Sequence, residues 1–406
     1  MSKLEQEKLI AEAERVLTHN YRQQPIVLSR GAGCTVWDVA GEKFLDLTGG
    51  IAACPLGHGH PKLSRAIAEQ AARLIHVSNL FYVEAQIRCA EALTERAHAL
   101  GQPRVFFCNS GAEANEAAIK LAKRYQTTFK GQPERIEVMS FEGSFHGRSI
   151  ATVALTGQEK YRAGFGPLIE WARFLPFPTD ENDRRALDRI SETTCAVILE
   201  PIQAEGGIRL WPAGFLKALR ARCTETGTVL IFDEVQTGIG RTGSWFGYEQ
   251  EGVVPDVISL AKGLGGGVPV GAIVASGELA QGFAPGTHAS TFGGNPLATA
   301  AALCVLETIE EERLLDRVKA AGERLRASLQ KLVEKHPGRA KAVRGRGLLW
   351  GLQLDGDAAP VVRAVRERGV LLSVAGGTVV RFAPPFVVTD AELDEGVAAL
   401  DAALSG

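Results

Sequence analysis

Three short segments of the chain carry side chains that could do chemistry. In Ile258-Ser259-Leu260-Ala261-Lys262-Gly263-Leu264-Gly265-Gly266-Gly267, a lysine ends an apolar run and opens a glycine-rich loop. An amine in such a pocket has a lowered pKa and serves as nucleophile and proton carrier; a solvated surface lysine is the ordinary alternative. In Val229-Leu230-Ile231-Phe232-Asp233-Glu234-Val235-Gln236, Asp233 follows four apolar residues at the carboxyl edge of an expected strand, where ligands sit in open α/β sheets. A carboxylate there needs a cation, although aspartates at strand ends are as often turn or cap residues. In Phe106-Phe107-Cys108-Asn109-Ser110-Gly111-Ala112-Glu113-Ala114-Asn115, an apolar strand ends in Asn-Ser-Gly and opens a helix. The free N–H groups of Gly111 and Ala112 and the positive end of the helix dipole would cradle a phosphate; simple capping by Ser110 or Asn109 is the alternative. Lys262 gains weight from Asp233, since neighbouring strands would bring both to one sheet edge.

A fourth segment is a decoy. Gly238-Ile239-Gly240-Arg241-Thr242-Gly243 has the letters of a dinucleotide fingerprint, but polar residues separate it from the strand and no helix follows to meet a pyrophosphate. A nicotinamide site is not expected there.

The elements that must position these residues read as an alternation. Arg104 to Cys108, Ile136 to Ser140, Cys195 to Leu199, Thr228 to Phe232, Val257 to Leu260 and Val270 to Ala275 are short apolar runs of the kind that form buried strands. Helical patterns lie between several of them, at Ala112 to Arg124 and Gly214 to Thr224. The expected fold is therefore α/β, a large domain with a mainly parallel sheet flanked by helices. Residues 25 to 50 read as a small antiparallel piece. A long helix is expected from Pro296 to about Leu332, then strands around Leu348 to Leu354, Val370 to Ser373 and Val379 to Phe382. The expected division is an N-terminal segment 1–60, a large domain 61–295 and a C-terminal segment 296–406. The two outer segments would pack together as a smaller α+β domain.

Composition bounds the partners. The chain has 406 residues, 45% of them hydrophobic and 23% charged, with a formal net charge of −2, so no global field gathers nucleic acid or anionic membrane. The longest apolar stretch, Leu297 to Leu306, falls far short of the roughly 20 residues of a membrane span. The first 17 residues suit an amphipathic surface helix rather than a secretory signal, which points to the cytoplasm. The seven cysteines are widely spaced and form no Cys-x-x-Cys pair, so reduced thiols are expected and no metal site.

At this point the sequence resembles the class III, fold type I pyridoxal-phosphate aminotransferases, most closely the acetylornithine aminotransferases of arginine biosynthesis. The resemblance runs from about Tyr21 to the end. It is carried by Leu56-Gly57-His58-Gly59-His60-Pro61, the Asn109 to Asn115 run, Phe145-His146-Gly147-Arg148, Glu200-Pro201-Ile202-Gln203-Ala204-Glu205-Gly206-Gly207, Asp233-Glu234-Val235-Gln236-Thr237-Gly238, Ala261-Lys262 and Phe292-Gly293-Gly294-Asn295-Pro296. It implies pyridoxal 5'-phosphate as cofactor, with Lys262 bonded to its aldehyde and later moving the proton. Asp233 would pair with the pyridine nitrogen and Gln236 would contact the ring hydroxyl side. Phe145 would stack on the ring. Ser110, Gly111 and Ala112 would hold the phosphate, together with Thr291 from the partner subunit of a homodimer.

The same resemblance implies a reaction that passes the terminal amino group of N2-acetyl-L-ornithine to 2-oxoglutarate, giving N-acetylglutamate 5-semialdehyde and glutamate. Arg148 would bind the α-carboxylate of the long donor or the side-chain carboxylate of glutamate. Arg381, inside the apolar run Val379 to Pro384, would hold the α-carboxylate of glutamate, with Glu205 as its gate and Ser290 touching the acylated amino acid. Two positions depart from the pattern. Ile51 stands where ornithine aminotransferases carry a tyrosine, which argues against free ornithine, and Cys54-Pro55 replaces a common Val-Asn. Succinylornithine, acetyllysine, ornithine and 4-aminobutyrate transaminases would need the same core residues. A non-catalytic, cofactor-binding regulator would need a DNA-binding module, for which there is neither spare length nor a basic helix.

Overall fold

The computed structural model describes residues 3–406. The helix expected at the N-terminus spans Lys3–Val16 and buries none of its residues. Strands β1 (Leu28–Ala32), β2 (Thr35–Asp38) and β3 (Lys43–Asp46) follow as an antiparallel ladder.

The central sheet has seven strands: β4 (Arg104–Cys108), β5 (Glu137–Phe141), β6 (Ala172–Leu175), β7 (Thr194–Leu199), β8 (Val229–Asp233), β9 (Val257–Leu260) and β10 (Gly271–Ala275). Their spatial order is β4-β10-β9-β8-β7-β5-β6. The run from β9 to β6 is parallel throughout, and β10 alone is reversed, antiparallel to both β9 and β4. Every residue of β7, β8, β9 and β10 is buried. Helices cover both faces, which is why these strands read as unbroken apolar runs rather than alternating ones. The helix Gly111–Arg124 packs across β9 and β10 with alanines on its buried side. The α/β fold with a mainly parallel sheet is thus as the sequence predicts, with β6 added at the edge.

The long helix expected from Pro296 is two helices, Pro296–Glu311 and Leu314–Lys335. Arg313 breaks it in a left-handed conformation, φ 52. Neither Gly nor Pro marks the break, and each half has its own apolar stripe, so periodicity alone runs through it.

The last strands are β11 (Ala340–Arg346), β12 (Leu349–Leu354), β13 (Val370–Leu371), β14 (Ser373–Ala375) and β15 (Val379–Phe382). β11, β12, β15 and β14 form an antiparallel sheet in that order. The single strand expected at Val370 to Ser373 is divided: β13 pairs parallel with the N-terminal β3, and β14 pairs with β15. No helix among the described residues is long and apolar enough to cross a membrane.

Candidate active site

A cavity of about 410 Å³ opens at the carboxyl ends of the central strands, and Ser110, Gly111, Ala112, Phe145, Arg148, Asp233, Gln236 and Lys262 all line it. β9 delivers the lysine. Lys262 follows the strand by two residues and adopts φ 43, a left-handed conformation that costs a non-glycine residue energy and persists only where the surroundings enforce it. Burial pushes its pKa below the ordinary lysine value, against the charge of Glu205 and with that of Arg381.

Asp233 is the last residue of β8 and is buried. Its Oδ2 accepts hydrogen bonds from Asn115 Nδ2 at 2.7 Å and from His146 Nδ1 at 2.8 Å, while Oδ1 accepts from the Val235 N–H at 3.1 Å. Asn115 is itself fixed: Nδ2 also donates to the His146 carbonyl at 2.7 Å, and Oδ1 accepts from Ser259 Oγ at 2.6 Å. The far nitrogen of the buried imidazole, His146 Nε2, has no hydrogen-bond partner.

β4 leads into the anion cradle. Ser110 does cap the helix, its Oγ accepting from Glu113 N–H at 3.2 Å. Capping leaves the first N–H groups of the helix, at Gly111 and Ala112, without intrahelical partners. A Cβ at residue 111 would lie 2.8 Å from Val235 Cγ1, so only glycine lets the turn close against the segment after Asp233. Phe145 offers the cavity an aromatic wall, held edge-on by Tyr161 with ring centroids 5.4 Å apart. The exposed Arg148 guanidinium lies 4.1 Å from the Tyr161 ring centre and 5.5 Å from that of Phe145.

Beyond Gln236 lies an ion pair. Arg381, on β15 and only 2% exposed, donates to Glu205 Oε1, to Gln236 Oε1 at 3.2 Å and to Ser373 Oγ at 3.0 Å. Burial would raise the Glu205 carboxyl, but the Arg381 charge overrides it and holds the carboxyl below its ordinary range. Ser290 Oγ accepts from Gly293 N–H at 2.9 Å and from Asn109 Nδ2 at 3.2 Å, one residue outside the cavity wall. Thr291 is exposed and does not line the cavity of its own chain.

Three residues on the wall carry polar contacts that the sequence reading did not single out: Asn115, His146 and Glu200. A signal existed for Glu200, which follows the apolar run of β7 as Asp233 ends that of β8. Asn115 was visible as a polar residue on the alanine-lined face of its helix.

These residues fit pyridoxal phosphate. A cradle of unpaired N–H groups suits the dianion, a braced buried carboxylate suits a protonated ring nitrogen, a phenylalanine wall suits a flat ring, and a desolvated amine suits an aldehyde. Fold and site together define a fold type I pyridoxal-phosphate enzyme. A profile of the family described as aminotransferase class-III matches residues 16–404, and the chain belongs to that family.

The chain is 51% identical to an acetylornithine aminotransferase of Myxococcus xanthus, over 95% of each chain. Among solved structures it is similar to the N-acetylornithine aminotransferase of Stenotrophomonas maltophilia K279a, with 36% identity, TM-score 0.82 and 98% of each chain covered. It is also similar to an ornithine aminotransferase of Toxoplasma gondii described with partial occupancy of pyridoxal phosphate at its active site. That match has 32% identity and TM-score 0.92, covering 98% of this chain and 94% of the other.

Proposed function

We propose that this aminotransferase moves the terminal amino group of N2-acetyl-L-ornithine to 2-oxoglutarate, giving N-acetylglutamate 5-semialdehyde and glutamate. The observation that carries the reading is the pair of arginines: Arg148 exposed at the cavity wall, and Arg381 buried and masked by Glu205 next to Gln236. Such a site presents one free carboxylate clamp and holds a second in reserve, which matches a cycle alternating between a long monocarboxylate donor and a five-carbon diacid.

Bound pyridoxal phosphate supplies an aldehyde to carry the amino group and a ring that takes up the electron pair left when a carbon loses its proton. Gly111, Ala112 and Ser110 would hold the phosphate, and Thr291 of a second copy would complete that grip. Asp233, oriented by Asn115 and His146, would accept the hydrogen bond of the protonated ring nitrogen, while Gln236 would serve the ring hydroxyl side and Phe145 would stack on the ring. Lys262 Nζ takes the proton from the amine-bearing carbon of the donor and, in the second half-reaction, delivers one to the keto carbon of 2-oxoglutarate. Positioned proton transfer of this kind contributes about 10²- to 10⁴-fold to rate.

With the long donor bound, Arg148 holds its α-carboxylate in a planar bidentate contact, Ser290 touches the acylated end and Glu205 keeps Arg381 neutralised. With glutamate or 2-oxoglutarate, Glu205 lets go, Arg381 takes the α-carboxylate and Arg148 the distal one. Comparing kcat/KM for acetylornithine, succinylornithine, ornithine, acetyllysine and 4-aminobutyrate with one keto acid tests the assignment. Acetylornithine should lead, and a lead for any other donor replaces it.

The working unit in this reading is a homodimer. Leu80, Phe81 and Tyr82 are 87%, 65% and 97% exposed, and Leu74, Ile75 and Phe292 extend the same apolar face, with His76 and Phe292 in ring contact at 5.1 Å. A face of this kind is covered by another surface, and it adjoins Thr291. The division into 1–60, 61–295 and 296–406 and a cytoplasmic location belong to the same proposal. The unpaired state of all seven cysteines suits a reducing compartment.

A further inference from the structure

Glu200 stands just past the end of β7, buried against the cavity, with a role none of the foregoing residues fills. Its two carboxylate oxygens serve two different loops. Oε1 accepts from the Phe145 N–H at 2.9 Å, and Oε2 accepts from the Ala204 N–H at 3.1 Å. Phe145 opens the turn that carries Arg148, and Ala204 immediately precedes Glu205, the partner of Arg381.

The same two loops also meet on the outside. Gln203 Nε2 donates to the Glu142 carbonyl at 3.1 Å, and a Cβ at residue 206 would lie 2.5 Å from the Gly143 carbonyl oxygen, so the backbones run in direct contact. A carboxylate is an expensive way to fill this space: burial first, and then the charge of Asp233, push Glu200 up to about 8. The pair of backbone donors, one from each loop, offsets only part of that cost.

We propose that Glu200 is a positioning residue that locks the Phe145–Arg148 loop to the Ala204–Glu205 loop and so fixes the spacing between the carboxylate clamps Arg148 and Arg381. The inference rests on reading those arginines as clamps. It makes Glu200 a determinant of how long a diacid the site accepts. A one-carboxylate keto acid needs no such spacing and is indifferent to it.

The test compares 2-oxoglutarate with pyruvate in the holoenzyme, as the ratio of their kcat/KM values. In Glu200→Gln, which keeps one acceptor and sets an amide N–H₂ against the other donor, the ratio should fall about tenfold or more, the loss for 2-oxoglutarate exceeding any loss for pyruvate. Glu200→Asp keeps the carboxyl group but shortens the reach, should behave the same way, and takes over if the glutamine variant does not fold. An unchanged ratio, or equal losses for both keto acids, overturns the proposal.

Arg148→Gln measured alongside separates the two failures. If it lowers the ratio and the Glu200 variants do not, the clamps stand and the lock falls. If it leaves the ratio unmoved, the clamp reading fails and the lock falls with it. A second readout needs no turnover: amide hydrogen exchange over residues 142–148 and 202–207 should quicken about tenfold or more in both segments of the Glu200 variants, with 229–233 unchanged. Acceleration in one segment only, or in neither, also overturns the lock.

Discussion

Lys262 combines a left-handed backbone with an amine whose pKa is lowered by burial, and both features cost stability that a purely structural residue would not demand. The sign of the pH dependence follows. The folded protein gives up the Lys262 proton at a lower pH than the unfolded chain does, so between those two values the unfolded state binds more protons and stability of the cofactor-free protein rises with pH. Urea unfolding of cofactor-free wild type and Lys262→Met across the alkaline range should show the wild type gaining on the variant as pH rises; parallel curves would contradict the buried amine. Turnover should vanish in Lys262→Ala, read as glutamate formed. Asp233→Ala removes one member of the ion pair proposed with the ring nitrogen and should weaken cofactor binding by about 3 to 5 kcal/mol, read by titrating pyridoxal phosphate into the cofactor-free variant. Lys262, Asp233 and the Ser110 to Ala112 turn were legible because each sits where an apolar run stops, which is the place an α/β sheet exposes its functional groups. His146 was not, because it matters through its contact with Asp233, 87 residues further along the chain, and such a contact leaves no local pattern.

Among the elements, the buried central strands could be read to within a residue or two, since only strands covered on both faces are apolar throughout. β6 and β11 escaped for the opposite reason: Ala172-Arg173-Phe174-Leu175 and Ala340-Lys341-Ala342-Val343-Arg344-Gly345-Arg346 are partly exposed and carry cations within the strand. The Pro296 to Lys335 region hid its break because Arg313 accepts a conformation usually left to glycine or asparagine. Its second helix also makes a close backbone approach, where a Cβ at residue 322 would lie 2.1 Å from the Gly347 carbonyl oxygen. Gly322→Ala must push that helix off the turn joining β11 and β12, and should destabilise the protein by about 1 to 3 kcal/mol, measured by chemical denaturation of the holoenzyme. Retained stability would mean the turn yields freely.

For the molecule as a whole, a net charge of −2 and an apolar face around Leu80, Phe81 and Tyr82 favour self-association over binding to a polyanion. Replacing Phe81 and Tyr82 together by aspartate should turn a dimer into a monomer in sedimentation. It should also abolish turnover, since each proposed phosphate grip borrows Thr291 from the other copy; a fully active monomer would refute that arrangement. The contribution proposed for a second copy could not be read from one chain's cavity, because Thr291 is not among the residues that line it. The parallel pairing of β3 with β13 has a further consequence for synthesis. The strand at Lys43 to Asp46 leaves the ribosome early, yet the residues that close its free edge are made roughly 320 positions later. At about 5 to 20 residues per second, that edge stays open for on the order of 15 to 60 seconds, a ready template for mispairing with a neighbouring nascent chain on the same message.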